Sequence, residues 1–142
     1  MNICIVGSGY VGLVTGAVFA DLGNDVVCVD TDAERVETLR SGQCPIYEPG
    51  LPEMLARNLR EGRLEFTAST AEGVSRSEIV FICVGTPPLT NGETDLSQVE
   101  AAAKAIGEAL DGHKIIVNKS TVPVGTGDLV RRIIEGVCQS GQ

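Results

Sequence analysis

Apolar, β-branched runs recur along the chain at residues 3–6, 26–29, 79–84 and 115–117, with a weaker one at 64–67. A short continuous apolar run is what a strand buried on both faces requires, because neither face meets water. Between the runs the spacing of apolar positions changes to a period of about 3.6 residues, the helical repeat. Val11, Val14, Val18 and Leu22 align as one stripe, and Leu96, Val99, Ala103, Ile106 and Leu110 as another. Each stripe predicts a helix resting its apolar side on a sheet, and Asp95 with Gln98 is placed to cap the second. After Pro123 and Gly125 have broken the preceding strand, Leu129, Val130, Ile133, Ile134 and Val137 mark a third helix over 127–137.

Between the second and third strands in chain order, residues 32–40 read as a crossover helix and 51–59 as an additional one. Pro45, Pro49, Gly50 and Pro52 punctuate the stretch that joins them. Strands alternating with helices predict an α/β fold, a doubly wound parallel sheet covered on both faces. No internal repeat, low-complexity tract or linker interrupts the pattern, so residues 1–142 read as one domain. A doubly wound sheet of order 3-2-1-4-5-6 needs one more strand after the last helix, and the sequence stops at Gln142. The final strand is therefore expected to be missing, and the chain to be the truncated N-terminal part of a longer protein.

Charge narrows the partners. Eleven Lys and Arg against nineteen Asp and Glu leave a net charge of −8 with no basic run, which disfavours nucleic acid and anionic membrane surfaces. No apolar stretch approaches the ~20 residues of a membrane span. The chain opens on Met1-Asn2-Ile3-Cys4-Ile5-Val6, with neither a basic leader nor a small-residue cleavage site, so a cytoplasmic location is expected. Cys4, Cys28, Cys44, Cys83 and Cys138 form an odd set without paired spacing, and neither a metal site nor a disulfide framework is expected. Cys4, Cys28 and Cys83 lie in apolar runs and read as small buried hydrophobes. Cys44 and Cys138 have no neighbour in sequence to activate them, His113 included, so no catalytic thiol is expected in this chain.

The first strand runs directly into Gly7-Ser8-Gly9-Tyr10-Val11-Gly12 and then into a helix. Gly7 permits the tight turn, Gly9 lets the backbone approach a pyrophosphate, and Gly12 lets the helix pack closely. The free N–H groups of the helix start then face the phosphates. Strand two ends at Asp30, eighteen residues after Gly12. A carboxylate there accepts hydrogen bonds from ribose hydroxyls and repels a 2′-phosphate, so NAD is favoured over NADP. Arg35, a turn into the following helix, is placed to take a 2′-phosphate or to stack beside the adenosine, and ranks second to Asp30. Three glycines alone also occur in simple turns and in sites for S-adenosylmethionine or a flavin. The strand before, the helix after and the acid at the end of strand two favour a dinucleotide.

Two further segments, Val84-Gly85-Thr86-Pro87-Pro88 and Ser120-Thr121-Val122-Pro123-Val124-Gly125, follow later strands. In each a hydroxyl residue follows the strand and a proline fixes the turn, at the sheet end where ligands of open α/β sheets bind. Either alone is explained by a strand-terminating turn; together they favour a function.

With the loop Tyr47-Glu48-Pro49-Gly50-Leu51 and the stretch Thr94-Asp95-Leu96, these motifs occur in the order found in the UDP-glucose/GDP-mannose dehydrogenases. The chain resembles the N-terminal NAD-binding (Rossmann) domain of that family over essentially its whole length. The resemblance implies an enzyme that oxidises a sugar C6 alcohol to a carboxylate in two NAD-dependent steps through a cysteine thiohemiacetal, and a role in forming UDP-glucuronate. Carried over by motif, it assigns Gly7, Tyr10, Val11 and Gly12 to the pyrophosphate loop, with Gly9 in the same fingerprint. It assigns Asp30 and Arg35 to the adenosine ribose, and Thr86 and Thr121 to the nicotinamide side, Thr121 with an assisting role at most; Gly85, beside Thr86, is a further cofactor-binding candidate. Family members often carry Lys where this chain has Arg35, and either supplies a cation. The family's catalytic groups would lie beyond Gln142, so the resemblance implies no catalytic residue here and an inactive fragment of an enzyme that is a homo-oligomer at full length. A sugar nucleotide would be bound mainly by the missing part. GDP-mannose and UDP-N-acetylmannosamine dehydrogenases are the alternatives within the same chemistry, with Pro87-Pro88 and Asn91-Gly92 leaning toward UDP-glucose. A non-enzymatic nucleotide-sensing domain is the alternative outside it.

Overall fold

The computed structural model describes residues 1–140. In chain order the elements are β1 (Asn2–Val6), α1 (Tyr10–Asp21), β2 (Asp25–Val29), α2 (Ala33–Arg40), α3 (Leu51–Arg60), β3 (Leu64–Thr67), α4 (Thr70–Ser75), β4 (Ile79–Ile82), α5 (Ser97–Ala109), β5 (Ile115–Asn118) and α6 (Thr126–Ser140). All strand pairs are parallel, and the order across the sheet is β3-β2-β1-β4-β5. The expected doubly wound α/β sheet is present, with five strands among the described residues.

Two apolar cores lie on opposite faces of the sheet. Ile3, Ile5, Val26 and Cys28 point to the side where α1, α2 and α3 supply Leu13, Leu39 and Leu55. Cys4, Val6, Val27, Val29, Val80 and Ile82 point the other way, onto Val74 of α4, Val99 and Ile106 of α5, and Val130 and Ile134 of α6. The alternation of side chains along each strand feeds both cores, which is why the strand sequences are apolar throughout. Cys4, Cys28 and Cys83 are buried as expected. Burial raises all three thiols, Cys4 to about 12 and Cys83 to about 11, so none carries thiolate at neutral pH.

Three expectations need correction. Most of the α1 stripe of Val11, Val14, Val18 and Leu22 does not face the sheet: Leu22 is 73% exposed, Val11 and Val18 are exposed too, and Val14 alone of the four is half-buried against the core. The packed side is Gly12, Leu13, Gly16, Ala17 and Ala20. A Cβ at Gly16 would lie 2.6 Å from Cys28 Sγ, so the helix sits too close to the sheet for valines, and small residues occupy the contact. The start of α5 is not a capping box. Leu96 is the N-cap without a side-chain cap, Asp95 accepts the Ser97 N–H at 2.9 Å, and Gln98 instead lies over Gly85. The expected strand at 79–84 ends at Ile82, although Cys83 N–H still donates to the Val6 carbonyl at 2.8 Å.

The six-residue α4 has no counterpart in the apolar periodicity, since it is less than two turns long. Its signal was the pair Ser69 and Glu72: Ser69 Oγ accepts the Glu72 N–H at 3.2 Å, half of a capping box.

Candidate active site

The turn from β1 into α1 is built by glycines with different jobs. Gly7 has φ +101°, a left-handed backbone that side chains rarely adopt, and its N–H donates to the Val29 carbonyl at 2.8 Å. At Gly12 a Cβ would lie 1.7 Å from the Gly7 carbonyl oxygen and 3.2 Å from Cys83 Cβ, so this glycine lets the helix start fold back over the turn and against Cys83, just after β4. Gly9 differs from both: a Cβ there meets nothing within 4 Å, and its φ of −72° is ordinary. As N-cap of α1 it supplies no side chain, which leaves the first-turn N–H groups available to a ligand.

Asp30, at the end of β2, sits beside this turn with its side chain 10% exposed. Its Oδ2 accepts Ser8 N–H at 3.0 Å and the Ser8 hydroxyl at 2.8 Å, and its Oδ1 accepts the Asp32 N–H at 2.9 Å. Arg35 Nη1 reaches Oδ2 at 3.3 Å. Burial alone would raise the Asp30 carboxyl, but the hydrogen bonds from Asp32 and Ser8 and the Arg35 charge together outweigh it and hold the group below the usual carboxylate range. Asp30 is thus ionised at neutral pH. Asp32 in turn caps α2 by accepting the Glu34 and Arg35 N–H groups at 3.1 Å, which places Arg35 on the first turn facing Asp30.

These residues line a cleft of about 480 Å³ at the C-terminal ends of β1, β2 and β4, where Gly7, Gly9, Asp30, Arg35 and Gly85 come together. Its opposite wall is α5, through Gln98, Ala101, Ala102 and Ala105, and its floor includes Val6, Val29 and Cys83. The small alanines leave a flat apolar surface opposite the charged Asp30 end. Gln98, Thr70 and the alanines were missed in the sequence because nothing local marks them; they enter the cleft only when α4 and α5 cross over the sheet. Ser8 was also missed, although it lies between the first two glycines.

The loops after β4 and β5 are clasped by two hydrogen bonds of opposite direction. The Thr86 hydroxyl donates to the Thr121 carbonyl at 2.7 Å, and the Ser120 hydroxyl donates to the Val84 carbonyl at 2.8 Å. The hydroxyl proton of Thr86 is therefore committed, and its oxygen is left to act as an acceptor. Neither Thr86 nor Thr121 is among the residues lining the cleft, which reaches this end at Val84 and Gly85. The side chains of Tyr10 and Val11 also lie outside it. Tyr10 is 54% exposed and donates to Glu48 Oε2 at 2.6 Å, tying the loop between α2 and α3 to the start of α1, and this hydrogen bond raises its phenol. Any part that Tyr10, Val11 or Gly12 takes toward a ligand in the cleft falls to the backbone.

Among the described residues no cluster of His, Cys, Asp and Glu is placed to hold a metal ion, and no helix is long and apolar enough to cross a membrane. His113 precedes β5, at the end of the sheet opposite the cleft, and Cys138 Sγ lies 3.7 Å from the Gly107 carbonyl near the end of α5. Neither approaches the glycine turn.

The UDP-glucose/GDP-mannose dehydrogenase family, NAD binding domain, matches residues 1–141. UDP-glucose 6-dehydrogenase of Pseudomonas aeruginosa is 55% identical over 134 residues, 94% of this chain and 30% of that protein. The UDP-glucose 6-dehydrogenase TuaD of Bacillus subtilis is 52% identical over 134 residues, again 94% of this chain and 29% of the relative. Among solved structures, a ternary complex of GDP-mannose dehydrogenase from Pseudomonas aeruginosa superposes with a TM-score of 0.94 at 36% identity, over 100% of this chain and 33% of that one. The chain spans about 30% of the length of the curated relatives it matches. A glycine turn opening on a cleft, an ionised Asp30 at the end of β2 and a family match over residues 1–141 have one joint meaning: this chain belongs to the UDP-glucose/GDP-mannose dehydrogenase family, as its NAD-binding domain.

Proposed function

We propose that the cleft holds NAD with its pyrophosphate over Gly7, Gly9 and Gly12 and its adenosine ribose at Asp30, and that the chain serves a dehydrogenase acting on UDP-glucose. The observation that carries the reading is the open side of Gly9 facing the same cleft as an ionised, hydrogen-bonded Asp30. The residues present fit the group. Backbone N–H groups of Tyr10 and Val11 at the helix start meet phosphate, Asp30 accepts ribose hydroxyls, and the alanine face of α5 offers an apolar wall to the adenine. Arg35 shields the Asp30 charge at the ribose. Gly85, Thr86 and Thr121 border the nicotinamide end, where the clasp between the two loops keeps their backbones rigid. NAD supplies the hydride acceptor, and the residues of this chain bind and orient it.

Cofactor preference tests the ribose assignment. A 2′-phosphate placed against the Asp30 carboxylate is repelled, and Arg35, already paired with that carboxylate, offsets this only in part. Fluorescence titration is expected to show tighter NADH than NADPH binding, with Asp30→Ala weakening NADH by roughly tenfold or more, the loss of a charge-assisted hydrogen bond. Equal affinities for the two cofactors in the unmodified chain would remove the assignment.

UDP-glucose is preferred over GDP-mannose as the sugar nucleotide on the stronger likeness to UDP-glucose 6-dehydrogenases, 52% and 55% identical against 36% for the GDP-mannose enzyme structure. The 142-residue chain itself is expected to generate no NADH from UDP-glucose. Among the described residues Cys83 is the one thiol in the cleft lining, and burial raises it to about 11, so it is no nucleophile at neutral pH. Absorbance at the NADH band, followed with UDP-glucose, GDP-mannose and UDP-N-acetylmannosamine, checks this; steady turnover by the isolated chain would place a competent base and nucleophile within it. A full-length relative-sized protein is expected to oxidise the sugar in two NAD-dependent steps and to work as a homo-oligomer in the cytoplasm.

A further inference from the structure

We propose that Ser8 is a positioning residue for cofactor selection: it pins Asp30 Oδ2 from the protein side so that the carboxylate meets the ribose in one orientation. The inference rests on the cleft being the NAD site and adds a residue to which that reading gave no role. Ser8 is 1% exposed and presents two donors, its N–H and its hydroxyl, to the same oxygen at 3.0 and 2.8 Å. The other oxygen is held by the Asp32 N–H at 2.9 Å.

An ionised carboxylate offers about four acceptor sites. Oδ2 already takes three donors, two from Ser8 and one from Arg35, whereas Oδ1 takes one. The Arg35 contact is the long one at 3.3 Å, and its side chain is 42% exposed. It is the replaceable donor, and Ser8 is the permanent one. A ribose hydroxyl can therefore take the open site on Oδ1 or displace Arg35 while Ser8 keeps the carboxylate from turning. Without the Ser8 hydroxyl, Oδ2 keeps only the Ser8 N–H and the Arg35 guanidinium, so the carboxylate leans toward Arg35, which weakens its hold on the ribose and relieves its opposition to a 2′-phosphate.

The test is a cycle of Ser8→Ala, Asp30→Asn and the double variant in the 142-residue chain. NADH and NADPH are titrated separately by fluorescence, and circular dichroism confirms folding. Ser8→Ala is expected to weaken NADH about tenfold while NADPH holds or tightens, so that discrimination narrows by about the same factor. Asp30→Asn narrows it at least as far, and the double variant adds nothing, because Ser8 acts through Asp30. If Ser8→Ala does not fold, Ser8→Cys, of similar size and a poor donor, carries the same expectation. Equal loss of both cofactors, or effects that add in the double variant, overturns the proposal by showing that Ser8 only supports the turn. A neutral Ser8→Ala beside an effective Asp30→Asn also overturns it and leaves the NAD site standing. An Asp30→Asn chain that keeps full NADH affinity and full discrimination removes the NAD-site reading itself.

Discussion

Gly9→Val is expected to abolish NAD binding in a chain that still folds. The backbone at Gly9 has φ −72° and ψ −163°, an extended conformation that valine adopts readily, and a Cβ there meets no protein atom within 4 Å. The backbone and the open Cβ position therefore raise no clash against the side chain, and the weaker N-cap costs only about 1 kcal/mol. With NAD placed as proposed, the ligand does clash, because the space the isopropyl group fills is the space in which the pyrophosphate would approach the helix start to reach its N–H groups. Separating the phosphates from those donors removes several hydrogen bonds at once, and the loss should exceed about a hundredfold, or ~3 kcal/mol. NADH titration with circular dichroism separates the two effects. A native spectrum with undiminished affinity would mean that the glycine turn does not carry the phosphates.

Gly12→Ala is expected to do the reverse and damage the fold first. Its Cβ would stand 1.7 Å from the Gly7 carbonyl oxygen and 3.2 Å from Cys83 Cβ, and a Cβ is fixed by the backbone, so it cannot turn away from the contact. Relief requires moving the start of α1 off the turn or away from Cys83, and Leu13 and Cys83 are both held in the first core. A backbone clash of this kind belongs with the severe substitutions, on the order of 3–5 kcal/mol. For a domain of this size the melting temperature should fall by about 10–15 °C. Thermal denaturation of Gly9→Ala and Gly12→Ala side by side measures the contrast. A Gly12→Ala chain melting with the unmodified protein would show that the turn is looser than its contacts imply.

Much of this architecture could be read without coordinates because burial on both faces removes polar residues from a strand. The runs at residues 3–6, 26–29 and 64–67 coincide with strands to within a residue for that reason. The helices α5 and α6 were equally legible: Val99, Ala103 and Ile106, and Val130 and Ile134, lie on the faces that their spacing predicted. The glycine turn and Asp30 were legible from position, since a strand, a glycine fingerprint and an acid at the end of the next strand constrain each other over thirty residues.

What could not be read were the contacts that depend on which elements become neighbours. The apolar period of α1 points to Val11, Val14, Val18 and Leu22, yet the helix lies on Gly16, Ala17 and Ala20, because the space above β1 and β2 is set by Cys28 and by the closeness of the sheet. Ser8 and Asp30 are 22 residues apart, and Thr86 and the Thr121 carbonyl 35 apart; no local pattern links either pair. The pairs form because the order β3-β2-β1-β4-β5 brings the ends of sequence-distant strands to one edge, where their loops must satisfy one another's hydrogen bonds. Local spacing thus dictates strands, helices and the glycine turn, whose requirements are met within a few residues. The orientation of Asp30, the clasp between the later loops and the alanine wall of the cleft arise from packing, because each needs a partner supplied by a different strand crossover.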